Sequence, residues 1–318
     1  MNFNETYVSI INARAPETIF PEVTTLVGLK KAVRKMAAVV HPDVNPQSAV
    51  DADIAFKRMT TWAERAEHKL KNGTWGDGKP TAEFKFRTQV GDYGVFGLSR
   101  REALFDSLDA EVNDTPVLLH VARLTRYELL AAKAVKALRQ LDGGGFPTVV
   151  EVLKLGGRSA YITGAIPEGF VPLSSVMESN PRGVPVAVML RYAQSMLRLV
   201  DRLAVVGIVH GAVNPSTWWV HPVTTDSYLT DWHYSVRRGE VVEFQNGTYA
   251  GLCPWEVREM KATDAGTDLA AAMLVLQEAL GAMDVPKDLT AMFSEHSREG
   301  RARPTDPAAC RRRIHAMI

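Results

Sequence analysis

The sequence predicts an α+β chain. A small helical module comes first, then a β-rich lobe carrying one helix, then a lobe made mostly of helices. Three observations predict it. Apolar residues recur at helical spacing on both sides of His41-Pro42-Asp43. Between residues 84 and 121 short runs alternate apolar and polar residues, as strands do. Beyond Pro172 long amphipathic helices take over. Strands followed by helices, rather than a steady alternation of the two, make the order of an α+β fold with unequal lobes. The expected divisions are 1–75, 76–168 and 169–318.

In the first segment Leu26, Leu29, Val33, Met36, Ala37 and Val40 fall on one helical face, which marks it as buried. Lys30, Lys31, Arg34 and Lys35 flank that face as two like-charged i,i+4 pairs. Such a pair costs an isolated helix roughly 0.2–0.5 kcal/mol, so the stripe is expected to serve an acidic partner. Pro42 ends the helix because it lacks an amide proton and biases its predecessor away from α geometry. Asp43 is thereby left in an exposed turn. A second amphipathic run follows, with Ala55, Met59, Trp62, Ala66 and Leu70 on one face. Residues 72–80, with Gly73, Gly76, Gly78 and Pro80, read as the linker closing this domain. Further on, 127–141 reads as a helix ended by Gly143-Gly144-Gly145, and 149–155 and 161–163 read as strands. Residues 186–205 and 268–280 read as long helices, the second with Leu269, Met273, Leu276 and Leu280 in phase.

Composition narrows the class. The chain has 318 residues with 46% apolar content, enough for two or three domains. A net charge of +1 argues against bulk nucleic-acid binding. The arginine-rich stretch 298–313 is expected to be a solvated C-terminal helix, whose end favours basic residues. Trp218-Trp219 reads as core. Cys253 and Cys310 stand far apart and outside any ligand spacing, so neither a disulfide framework nor a zinc site is expected. The N-terminus lacks a signal-peptide pattern, and no apolar run approaches the roughly 18 residues of a membrane span. The expected setting is the cytoplasm, with neither nucleic acid nor membrane as a partner.

With the helix in register before it, His41-Pro42-Asp43-Val44-Asn45-Pro46 resembles the loop of a J-domain, the DnaJ-type cochaperone module. Lys31-Ala32-Val33-Arg34-Lys35-Met36-Ala37 follows that family's second helix, and Phe56 falls where the third helix carries its phenylalanine. The first-helix consensus is not visible, Val33 replaces a customary tyrosine, and a short helix near 16–23 stands in for helix I. The resemblance implies that His41, Pro42 and Asp43 form the trigger and that Lys30, Lys31, Arg34 and Lys35 form the docking face for a DnaK-type chaperone.

The larger segment, roughly 84–314, resembles a protein kinase domain. Gly207-Ile208-Val209-His210-Gly211-Ala212-Val213-Asn214-Pro215-Ser216 resembles the catalytic loop, and Leu229-Thr230-Asp231-Trp232-His233 resembles the metal-binding loop. A suitable spacing of 19 separates Ala212 from Asp231. Pro254-Trp255-Glu256 resembles the end of the activation segment, Asp268 opens the core helix, and Arg303 is the late arginine expected to pair with Glu256. The resemblance implies structural roles for His210 and Trp232, packed between the lobes, and for Asp268, anchoring the catalytic-loop backbone.

Phosphoryl transfer needs a base, side chains for magnesium, and a lysine held by a glutamate to seat the phosphates. Carried over position by position, the base falls on Ala212, the second metal ligand on Thr217, the lysine on His120 and its glutamate on Lys133. Asp231 alone is retained, and Gly91-Asp92-Tyr93-Gly94 keeps part of the glycine-rich loop. The expectation is a pseudokinase and not an enzyme, with no cofactor beyond weak ATP and magnesium at Asp231, and with His120 and Lys133 repelling each other. Together the two resemblances match bacterial fusion proteins. They imply a cochaperone or adaptor that recruits a DnaK-type ATPase and presents an unidentified client or partner on the kinase-like body. The alternatives are a divergent nucleotide-dependent transferase using Asp231, and a scaffold whose hairpin has lost its chaperone.

Overall fold

The computed structural model describes residues 2–13, 15–71, 73, 75–76, 82, 84–101, 104–113, 115–141, 143–243, 248–296 and 303–318. These fall into two units, Met1–Gly97 and Leu98–Ile318. Most of the 72–80 stretch expected to close the first domain lies outside the described residues, and the division in the chain comes at Gly97–Leu98.

The first unit begins with α1 (Phe3–Asn12), which the periodicity did not reveal. Its start is fixed by a capping box. The Glu5 amide donates to Asn2 Oδ1 at 2.9 Å, and the Asn2 amide donates to Glu5 Oε2 at 3.2 Å. Short α2 (Pro16–Ile19) opens on proline, whose fixed φ suits a first helical position. Helix α3 (Leu26–Val40) is capped by Thr25 and buries Leu29, Met36 and Val40, while Leu26 stays exposed. Helix α4 (Ala49–Lys71) buries Ala55, Met59, Trp62 and Ala66 against α3 and α1. One apolar core results, completed by Ile10, Ile19 and Phe20. Lys69 Nζ meets Glu17 Oε1 at 2.8 Å with both side chains largely buried, which ties the last turn of α4 to α2. An antiparallel hairpin, β1 (Phe84–Arg87) with the start of β2 (Asp92–Arg101), ends the unit. Its Phe86 and Tyr93 rings stack at 4.8 Å.

The second unit takes up the end of β2. It then forms β3 (Phe105–Val112), β4 (Thr115–Ala122), α5 (Glu128–Leu138), β5 (Val149–Leu155) and β6 (Arg158–Gly164). The four later strands pair antiparallel in the order β3-β4-β6-β5. A helical part follows. It opens with β7 (Val171–Pro172), α6 (Leu173–Glu178) and α7 (Val186–Val206), and continues through β8 (Ile208–Val209), β9 (Trp218–Val220), β10 (Ser227–Leu229) and β11 (Val236–Arg237). It closes with α8 (Trp255–Arg258), α9 (Thr267–Leu280), α10 (Lys287–His296) and α11 (Pro307–His315). Gly207 ends α7 in the left-handed region, φ 69°, a conformation glycine adopts at low cost. Helices α7 and α9 pack together and carry the centre of the core, through Met189, Leu197, Leu269 and Leu276 among others. The loops between β8 and β11 therefore rest on two rigid helices. Among the described residues no helix is long and apolar enough to cross a membrane.

Candidate functional site

The loop from His210 to Thr217 is held by buried polar contacts. Asp268, at the start of α9, accepts from the His210 amide at 2.7 Å and from the Gly211 amide at 2.9 Å. Burial pushes its pKa up to about 6, against the pull of those two amides. His210 approaches the Thr230 carbonyl through Nε2 at 2.7 Å and accepts the Ala212 amide at Nδ1, 3.3 Å. This fixes the Nε2–H tautomer, and burial lowers its pKa to about 4, so the ring is neutral. It meets Trp232 edge-on at 4.7 Å between centroids. Gly211 has φ 74°, and a Cβ there would come within 2.7 Å of Val242 Cγ2, so the loop requires glycine.

Ala212 is buried and brings no polar side chain. The Thr217 hydroxyl donates to the Ala212 carbonyl at 2.6 Å and accepts from the Asn214 amide at 3.0 Å. Its capacity is spent on the loop's own backbone. Asn214 Oδ1 accepts from the Ser216 amide at 2.9 Å and from the Ser216 hydroxyl at 2.7 Å, closing the turn.

Asp231 precedes a single 3₁₀ turn and adopts φ 65°, ψ 53°, a left-handed conformation that aspartate tolerates better than most residues. Its carboxylate is 5% exposed and pairs with the guanidinium of Arg100, which is 23% exposed. Arg100 is anchored further by the Thr230 hydroxyl at 3.3 Å and the Ser216 carbonyl at 3.4 Å. The residue patterns singled out Asp231 but not Arg100. A surface-type arginine late in an alternating strand carries no sequence mark that it turns towards a loop 131 residues away.

His120 lies in β4 with Ser107 Oγ at 2.9 Å from Nδ1 and Thr163 Oγ1 at 3.1 Å from Nε2. It stacks on Tyr161 at 4.5 Å. Burial lowers its pKa to about 3, so it carries no charge with which to seat a phosphate. Lys133 is exposed on α5, whose buried face is Leu130, Ala131, Ala134, Val135, Ala137 and Leu138. The expected repulsion between His120 and Lys133 is therefore corrected: one is neutral and the other faces solvent. No carboxylate faces inward at that turn either, because the side of α5 turned to the core is wholly apolar.

The space lined by Leu118, His120, Thr163, Tyr228, Asp231 and Trp232 amounts to about 10 Å³, room for one water. Magnesium demands near-octahedral oxygen ligands at about 2.0–2.1 Å. Asp231 already holds a guanidinium and Thr217 is committed to backbone, so these residues do not fit the ion as they stand. Elsewhere, Glu256 and Arg303 form a buried two-pronged pair, one prong at 2.6 Å, and Arg303 also reaches Asp264 at 2.8 Å. In the first unit Asp43 is 89% exposed, and Lys30, Lys31, Arg34 and Lys35 are all exposed.

No protein-family model matches the sequence, and no curated protein does. Solved structures do match. The BubR1 kinase domain superposes with a TM-score of 0.55 at 14% identity, covering 80% of this chain and 91% of its own. The Cydia pomonella granulovirus kinase PK-1 gives 0.57 at 12% identity, covering 70% and 94%. The Mycobacterium tuberculosis PknI kinase domain gives 0.55 at 12% identity, covering 71% and 96%. The expectation that the chain is not an enzyme is corrected by these matches, because the solved structures that share its fold are kinases and kinase domains. The fold is that of protein kinase domains, α+β, with further helices at the N-terminus.

Proposed function

We propose that the N-terminal unit recruits a DnaK-type chaperone ATPase and that the kinase-fold body carries the client or partner brought to it. One observation carries this reading: the way the His41-Pro42-Asp43 loop is presented. Asn45 Nδ2 donates to the carbonyls of Val39 at 2.8 Å and His41 at 3.0 Å, which fixes the exit from α3. The His41 ring packs edge-on against Phe56 of α4 at 5.1 Å, and its Nδ1 accepts the Asp43 amide at 3.2 Å. Behind the turn these contacts tie the loop to α3 and α4, while the Asp43 carboxylate projects into solvent. An exposed carboxylate adds little to its own fold, so its fixed placement suits a partner's hydrogen-bond donor. The exposed cations of α3 supply a surface for an acidic partner, with association that weakens as salt rises.

The test is single-turnover ATP hydrolysis by a DnaK-type chaperone. Wild type should stimulate it, Asp43→Asn should abolish stimulation without changing the fold, and Lys30→Glu with Arg34→Glu should weaken binding most at low salt. No stimulation by wild type, or equal stimulation by Asp43→Asn, would sink the reading.

A second reading, favoured by the kinase fold and by the retained Asp231, is a nucleotide-dependent transferase. Transfer of the ATP γ-phosphate to the chain itself or to a protein acceptor, lost in Asp231→Asn, would support it. Transfer that Asp231→Asn leaves intact would count against it.

A further inference from the structure

We propose that a groove between α5, β5 and β11 docks an acidic peptide segment of a partner protein, one that sets apolar side chains among carboxylates. This rests on the reading of the kinase-fold body as the part that carries a partner, and it names that partner's chemistry. Two hollows of about 630 and 200 Å³ share Lys136, Gln140 and Arg237, and so make one continuous groove. All of its lining belongs to the second unit.

Spacing along the helix builds one wall. Lys133, Lys136 and Arg139 recur every three residues and are all exposed, so they share one outward side of α5. Arg237, also exposed, is set opposite by the pairing of β11 with β8. Ala132 and Val135 of α5, with Val152 of β5 at 46% exposure, supply an apolar floor. Among the described residues none of the four cations makes an ion pair. The acids nearby are already committed. Glu128 meets Lys154 at 3.3 Å, and Glu240, the carboxylate among the described lining residues, accepts the Arg237 amide at 3.1 Å. Like charges three or four residues apart on a helix repel. A segment bearing carboxylates relieves that repulsion, while its apolar side chains cover the floor. The lining holds no aromatic ring on which a base could stack, so the groove suits a peptide better than a single-stranded nucleic acid.

The experiment binds the full chain to fluorescein-labelled peptides of glutamate and leucine, with the leucine spacing varied between helical and strand periods. Fluorescence anisotropy reads the affinity. At least one spacing should bind, and raising salt from about 0.05 to 0.5 M should weaken it at least tenfold. Lys136→Glu with Arg237→Glu should lower the affinity at least tenfold. The milder Lys136→Gln should lower it at least threefold, and as a surface substitution it should keep the wild-type melting temperature. Serine in place of leucine should also cost at least tenfold. The proposal is overturned if no spacing binds by millimolar peptide, or if the folded variants bind as well as wild type. It also fails if glutamine in place of glutamate makes no difference. An oligonucleotide that binds the groove more tightly than any peptide would put another occupant there. So would self-association of the chain that the same variants abolish. Chaperone is absent throughout, so failed ATPase stimulation sinks the recruitment reading without deciding this one, and absent peptide binding leaves the ATPase result standing.

Discussion

At the scale of single residues, the buried charges and the neutral histidines make the firmest predictions. Removing Arg303 leaves Glu256 buried without its partner, so Arg303→Met should cost about 3–5 kcal/mol in urea denaturation. Glu256→Leu in the same chain should return most of that loss, because the uncompensated charge is then gone. The histidines predict acid sensitivity. His120 is lowered to about 3, and His210 and His233 to about 4, each from 6.5. The unfolded chain takes up protons below about pH 6.5 that the folded chain refuses, so stability is full above that pH and falls as pH drops towards 4. Asp268 acts in the opposite sense. Raised from 3.8 to about 6, it binds a proton in the folded state first and offsets part of the loss between pH 6 and 4. Three groups against one leave a net fall, which melting temperatures between pH 7 and 4 will show. Melting that is flat across this range, or that rises on acidification, would contradict it. The geometry at Asp231 also selects the probe. With φ 65°, alanine there would add backbone strain to the loss of charge, whereas asparagine tolerates that region, so Asp231→Asn isolates the charge.

At the scale of elements, residues with a local signature were legible and those set by distant packing were not. Helix α3 was legible to its last residue, because an apolar face ended by proline is a local signal. The strand β5 and the long helices α7 and α9 were legible for the same reason. Helix α1 was missed although its Asn-x-x-Glu start was present, since its apolar face is short and only completed by packing on α4. That Lys133 faces solvent on α5 was not legible, because alanines at that turn look like any helical alanines until the register is known. In the loop between α3 and α4, Asn45 ties the exit of α3 through two carbonyls. Asn45→Ala deletes two hydrogen bonds and should cost about 1–2 kcal/mol of the N-terminal unit's stability. Chaperone stimulation should fall with it, because Asp43 would lose its fixed placement. Unchanged melting would show that the turn is held by other means.

At the scale of the whole molecule, the chain carries separate apolar cores, one built from α1–α4 and another centred on α7 and α9. Cores carried by different units are expected here to melt in separate cooperative transitions. Trp62→Ala should destabilise one calorimetric transition by about 3–5 kcal/mol and leave the other in place. A single transition that shifts as a whole would contradict this. The kinase fold was legible because several spaced motifs fall in order. The Arg100–Asp231 contact was not, since no local pattern encodes a partner 131 residues away. The Lys69–Glu17 bridge bears on how the protein is made. It joins residues 52 positions apart, so the helical module cannot close until the end of α4 has been synthesised. His41-Pro42-Asp43 is translated well before that point. On the ribosome the loop therefore emerges before the contacts that close its module, and that module can finish folding before the kinase-fold body is complete. A nascent chain stopped before Lys69 would expose the tripeptide without the closed module behind it. On the proposed reading, chaperone recruitment would be a property of finished N-terminal units rather than of emerging chains.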